Sequence, residues 1–114
     1  MTQAVTPEQK IEMYREQIRQ RPENVLARFS LGQVLMKVER FEEAAGVWEE
    51  LLGLKRDYLV AWMLYGRTLL HLGRPAEARQ TLEAHALPLA HQQGHAGPIE
   101  EIQAILDEIG EAPA

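Results

Sequence analysis

Residues 28–48 read RFSLGQVLMKVERFEEAAGVW, and residues 62–82 read WMLYGRTLLHLGRPAEARQTL. A shift of 34 residues superimposes the two stretches. The matched pairs are Arg28 and Trp62, Leu31 and Tyr65, Gly32 and Gly66, Leu35 and Leu69, Arg40 and Arg74, Glu43 and Glu77, Ala44 and Ala78, and Trp48 and Leu82. A repeat of this period indicates one helix hairpin that is built twice and stacked. Gly or Ala at matched positions is expected where two helices cross closely.

Composition and charge narrow the class of protein. The chain has 114 residues, the length of one domain, and no cysteine, so disulfides and thiolate metal sites are excluded. Residues 1–97 hold all 12 basic and 12 of the 17 acidic residues, so the whole net charge of −5 lies after Pro98. Nucleic acid would be repelled from that end. With no basic and apolar leader and no bilayer-length apolar stretch, we expect a cytoplasmic protein that binds neither nucleic acid nor membrane.

Capping residues and a 3.6-residue apolar period predict about six helices. Thr6, Pro7 and Gln9 are expected to start the first helix, and Asn24 and Asp57 to cap the second and fourth. The predicted segments, in a single domain over 1–114, are a leading helix 7–21, repeat 1 at 24–56, repeat 2 with an extended second helix at 58–94, a C-terminal capping helix 98–110, and a disordered tail 111–114.

Pro88 falls inside the extended fifth helix. Proline has no N–H to donate, and its ring would clash with the carbonyl of Ala84. We therefore expect a kink or a break near residues 84–87.

These residues resemble the tetratricopeptide repeat (TPR) family. The second repeat matches its pattern at Trp62, Tyr65, Gly66, Leu69, Gly73, Ala78 and Leu82, whereas the first has Arg28 at the leading Trp position and no closing Pro. The resemblance implies an all-α right-handed superhelix of antiparallel helix hairpins, a TPR solenoid. It also implies a protein–protein interaction module, an adaptor or scaffold, and not an enzyme.

In the family, the first helix of each repeat lines a concave groove. By resemblance, the groove residues here are Leu26, Phe29, Gln33, Met36, Lys37, Val60, Met63, Arg67, Leu70 and His71. Six of the ten are apolar, which suits an amphipathic helix or an extended apolar segment. The alternative is that Leu26, Val60 and Leu70 pack against neighbouring helices.

The polar groove residues bear on the kind of partner. Lys37, Arg67 and His71 make the groove locally cationic, which favours a partner with an acidic or C-terminal carboxylate group. The family's carboxylate clamp for chaperone tails uses Lys and Asn pairs. Because Gln33 and Arg67 stand at its Asn positions, binding of that kind is not expected here.

Two further hypotheses differ in class. In the first, the groove is filled by a second copy of the chain, which would make the protein a homodimer and not a monomer. In the second, His85, His91 and His95 bind a metal, but Gly94 interrupts their helix and no carboxylate lies beside them. With no nucleophile beside a base and no phosphate-binding loop, we expect no metal, no cofactor and no catalysis.

Overall fold

The computed structural model of the chain describes residues 4–110, which form helices and no strand. The helices are α1 (Pro7–Gln20), α2 (Val25–Lys37), α3 (Phe41–Leu54), α4 (Leu59–His71), α5 (Pro75–Thr81), a π-helical segment (Leu82–Ala86), α6 (Leu87–Gln93) and α7 (Ala96–Ile109). Because α5, the π-helical segment and α6 follow one another without a gap, they make one long helix, and residues 4–110 contain six helices. The predicted all-α class is confirmed.

The chain divides between Arg56 and Asp57 into two compact units. In the first unit, α2 packs against both α1 and α3. Leu35, Trp48 and Leu51 are completely buried there. In this unit the buried faces of α2 and α3 therefore form one core.

The second unit contains α4 to α7. The helix α4 packs against α5 and the π-helical segment, and α7 packs against α6. Leu69 and Leu82 are completely buried, as is Ile102 on the inner face of α7. The opposite face of α7 is exposed and mostly polar.

Each unit contains one close helix crossing at a glycine. A Cβ atom on Gly32 would lie 2.5 Å from Cη2 of Trp48, and one on Gly66 would lie 2.7 Å from Cδ2 of Leu82. Trp48 and Leu82 are themselves one repeat apart, so both hairpins insert a large side chain against a bare helix backbone. The predicted need for small residues at these crossings is confirmed at both glycines.

The helices α2 and α4 end in the same hydrogen-bonded turn. The N–H of Arg40 donates to the carbonyl of Leu35 over 2.8 Å, and the N–H of Arg74 donates to that of Leu69 over 2.9 Å. These are the six-to-one bonds of a Schellman motif, which needs a left-handed residue before the donor. Gly73 fills that place with φ +72°, but the first repeat has Glu39 there with φ +62°.

An arginine and a glutamate form an ion pair at the start of the second helix of each repeat. Arg40 holds Glu43 through two bonds of 2.8 Å, and Arg74 holds Glu77 through bonds of 2.5 and 2.7 Å. Hydrogen bonds from these guanidinium groups lower the pKa of both glutamates. Arg40 also contacts Glu8 of α1 at 2.7 Å, so in the first unit the pair joins two helices.

Arg28 occupies the place at which the family pattern has Trp, and it is buried. Its guanidinium donates to the carbonyl of Pro22 and, over 3.3 Å, to the carboxylate of Glu50. A buried guanidinium is tolerated only when it is paired and hydrogen-bonded. Arg28 thereby joins the loop before α2 to the end of α3.

Of the three predicted helix caps, two are confirmed and one is wrong. Thr6 and Gln9 form a capping box at the start of α1. The Asn24 side chain accepts from the N–H of Ala27 over 2.9 Å. The residue that precedes α4 as its N-cap is Tyr58 and not Asp57, because the helix begins one residue later than the carboxylate suggested.

The fifth helix does not break at Pro88. The helix instead departs from α-helical hydrogen bonding in the π-helical segment. There the N–H of Leu87 donates to the carbonyl of Leu82, five residues earlier. This wider turn places Pro88 in the first turn of α6, where a missing N–H disturbs the helix least.

At the C-terminal end, α7 begins at Ala96, two residues before the predicted start. The predicted tail 111–114 lies outside the described residues. No helix within residues 4–110 has both the length and the apolar character that crossing a membrane requires.

Gly32→Ala is expected to lower the free energy of unfolding by about 1–3 kcal/mol, because the added methyl group overlaps the Trp48 ring. Gly46→Ala is the control, since nothing lies within 4 Å of a Cβ placed there. Its better helix propensity should raise the free energy of unfolding by about 0.5–1 kcal/mol. Urea denaturation measures the free energy of unfolding of both variants. Equal stability of the two would contradict the close contact between Gly32 and Trp48.

Glu39→Gly is expected to raise the free energy of unfolding by roughly 0.5–1 kcal/mol, because glycine adopts the left-handed conformation without a steric penalty. Glu42→Gly removes the same side chain from a helical position in α3 and should lower it by about 1 kcal/mol. Thermal unfolding of both variants tests the prediction, and a loss of stability in Glu39→Gly would refute it.

Candidate functional site

The exposed face of α2 carries one apolar residue among polar ones. Leu26 is 71% exposed, and Gln33 and Lys37 are also exposed. Phe29 and Met36 are half-buried, and the Phe29 ring lies 5.8 Å from the Trp48 ring at a tilt of 59°. Leu26 therefore does not pack into the core, whereas Phe29 and Met36 are partly covered by it.

On α4, the predicted residues separate into surface and core. Val60 is 47% exposed, and His71 is exposed. Arg67 and Leu70 are half-buried. Met63 is only 7% exposed, so its side chain is part of the core. Val60 lies one repeat after Leu26, and each first helix thus keeps an exposed apolar residue at the same position.

The side chain of Arg67 is engaged by α7. Its Nη2 atom lies 2.9 Å from Oε1 of Glu101, with the two side chains 42% and 50% exposed. The ion pair offsets a positive charge that was expected to face the groove. Glu101 was missed because it lies on the capping helix, although the repeat shift of 34 residues leads from Arg67 to Glu101.

A cleft of about 380 Å³ lies between α4 and α7. It is lined by Arg67, Leu70, His71, Glu108 and Ile109. Three of these residues are among the predicted groove residues, and the two from α7 are not. The wall that α7 contributes could not be found from the two full repeats alone.

Lys37 and Glu108 are two of the charged groups that remain after the ion pairs are assigned. Neither takes part in an ion pair or hydrogen bond within residues 4–110. Lys37 is a cation on α2 in the first unit, and Glu108 is an anion on α7 in the second.

The histidines do not form a cluster. The His85 ring stacks on Trp62, with centroids 4.1 Å apart and planes 7° from parallel. Among the described residues, no three His, Cys, Asp or Glu side chains come together in a group that could hold a metal ion. The three histidines that the metal hypothesis joined are thus not assembled as a site.

These features define a helical repeat protein whose first helices each keep an exposed apolar residue. The tetratricopeptide repeat family matches the sequence over residues 11–58 and 31–93, which together span most of the chain. The chain belongs to the tetratricopeptide repeat family, as its sequence pattern predicted. The fold of this family is a protein-interaction fold.

Solved structures agree with this assignment. Protein BPP2914 from Bordetella parapertussis is 30% identical, with a TM-score of 0.77 over 95% of this chain and 89% of that one. The TPR2B domain of yeast Sti1, in its pHsp70 complex, is 18% identical, with a TM-score of 0.82 over 90% of this chain and 82% of that one. The TPR2AB domain of yeast Sti1, in its pHSP90 complex, is 19% identical, with a TM-score of 0.79 over 89% of this chain and 39% of that one. No curated protein sequence matches the chain.

Val60→Glu and Met63→Glu should separate the surface of α4 from its core. Val60→Glu is expected to change the free energy of unfolding by no more than about 0.5 kcal/mol. Met63→Glu buries an unpaired carboxylate and should lower it by about 3 kcal/mol or more. Chemical denaturation of the two variants checks the assignment, which fails if both are equally stable.

Proposed function

We propose that this protein is an adaptor or scaffold that binds another polypeptide through the exposed faces of α2 and α4. The observation that carries the proposal is the pair Leu26 and Val60, which lie one repeat apart and are 71% and 47% exposed. Neither side chain is among the buried residues of the core. A partner that covers these side chains would remove them from water, which favours binding.

The neighbouring residues indicate the form of the partner. Phe29 and Met36 on α2 are half-buried, so part of each side chain is accessible next to the exposed positions. An apolar residue flanked by an adaptable methionine suits the apolar face of a helix or an extended segment. On α2, Lys37 would attract an acidic group of the partner because its ammonium group has no ion pair within residues 4–110.

The Sti1 domains support the proposal in a general way only. The two solved structures are a TPR2B–pHsp70 complex and a TPR2AB–pHSP90 complex, so TPR domains of this fold are found in complexes. At 18% and 19% identity, the likeness concerns the fold. Gln33 and the paired Arg67 differ from the Asn residues of the carboxylate clamp, so we propose a partner other than a chaperone tail.

Affinity capture from native lysate tests the proposal. The wild type, a Leu26→Glu/Val60→Glu variant and a Leu54→Glu control are compared after each is confirmed to be folded. Leu54 is a matched control because its exposure, 47%, equals that of Val60 and it lies outside the proposed surface. A polypeptide should be retained by the wild type and by Leu54→Glu, and reduced about tenfold or more on the double variant.

A second copy of the chain is the alternative occupant. Sedimentation at increasing protein concentration distinguishes it, since the same apolar pair would then bury itself between two copies. A dimer that the Leu26→Glu/Val60→Glu variant abolishes would replace the adaptor proposal with self-association. Equal capture by all three proteins would exclude both faces as the binding surface.

A further inference from the structure

The cleft between α4 and α7 combines apolar walls with an uneven charge. Leu70 and Ile109 line it and are both half-buried. Its volume of about 380 Å³ is at the lower end of the range of pockets that bind small ligands. The cleft is therefore large enough to hold an apolar side chain of a bound polypeptide.

The charges of this cleft favour a cation over an anion. Arg67 is held at 2.9 Å by Glu101, so its positive charge is offset within the protein. Glu108 lines the same cleft and has no ion pair within residues 4–110. His71 is the remaining titratable group on the wall. Residues 98–114 contain no Lys or Arg that could neutralise Glu108 locally.

We infer that this cleft receives an apolar side chain of the partner polypeptide that has a Lys or Arg next to it, with the basic group paired to Glu108. This inference rests on the proposed function and specifies the chemistry of the partner at the second unit. The apolar side chain is buried against Leu70 and Ile109. The basic group supplies the counter-charge that the cleft lacks.

An acidic partner group is disfavoured at the same place. To reach Arg67 it would have to displace Glu101 and would then lie near both Glu101 and Glu108. An anionic partner group would be repelled by both carboxylates, whereas a cationic group would be attracted to Glu108. The preference expected from sequence, for a carboxylate beside Arg67, is thus reversed at this cleft by two residues of α7.

A phage-displayed library of random twelve-residue peptides, selected against the full chain, tests the inference. Selected peptides are expected to carry Lys or Arg beside an apolar residue. Synthetic copies of them should bind Glu108→Lys about tenfold or more weakly than the wild type, and should lose affinity as salt rises. Unchanged thermal unfolding of Glu108→Lys ensures that the loss is not due to misfolding.

Asp107→Lys is the matched control. It makes the same change of charge at the neighbouring residue, but Asp107 lines a different cleft with Leu87 and Leu106. Retained binding by Asp107→Lys and lost binding by Glu108→Lys would support the inference.

Peptides enriched in Asp or Glu, or binding that ignores Glu108→Lys, would overturn the inference and leave the proposed function standing. A selection that enriches no peptide also overturns it, and the capture experiment then decides the proposed function separately.

Discussion

The close contact between a large side chain and a bare glycine backbone sets the geometry of each hairpin. Once Gly32 must face Trp48, the rotation of α2 about its axis is fixed. At about 100° per residue, Leu26, Gln33 and Lys37 then lie on one stripe, roughly 100–140° from the glycine. The same rotation about Gly66 places Val60, Arg67 and His71 on the corresponding stripe of α4. The exposed positions are therefore a consequence of the crossing.

The two repeats reach this geometry with different residues outside the crossing. Arg28 and Trp62 are matched, yet Arg28 is satisfied by the Pro22 carbonyl and Glu50, whereas Trp62 is covered by the His85 ring. Each solution depends on a residue distant in sequence. Such compensation explains why the first repeat keeps the fold while departing from the family pattern at its leading aromatic position.

Local and periodic signals made most of the fold predictable. The caps at Thr6 and Asn24 and the small residue at Gly32 depend on neighbours three residues away or on the repeat itself. The prediction that Asp57 caps α4 was wrong. A carboxylate is a good cap in isolation, but the repeat shift matches Asn24 with Tyr58. The burial of Met63 was not predictable because α4 is apolar around much of its circumference over residues 59–64. The pairing of Arg67 with Glu101 depends on tertiary structure.

The helix α7 contributes more to the candidate site than covering the core of the second unit requires. Covering the apolar side of the second unit needs Ile102, Ile105 and Leu106 to be buried, and they are. Solubility of the outer face needs polar residues of either sign. Yet the charged residues of α7 are all acidic. One of them pairs with Arg67, and another lines the cleft with no ion pair in the described part of the chain. The fold does not require this single sign, and a uniformly acidic α7 agrees with the basic partner group that we propose for the cleft.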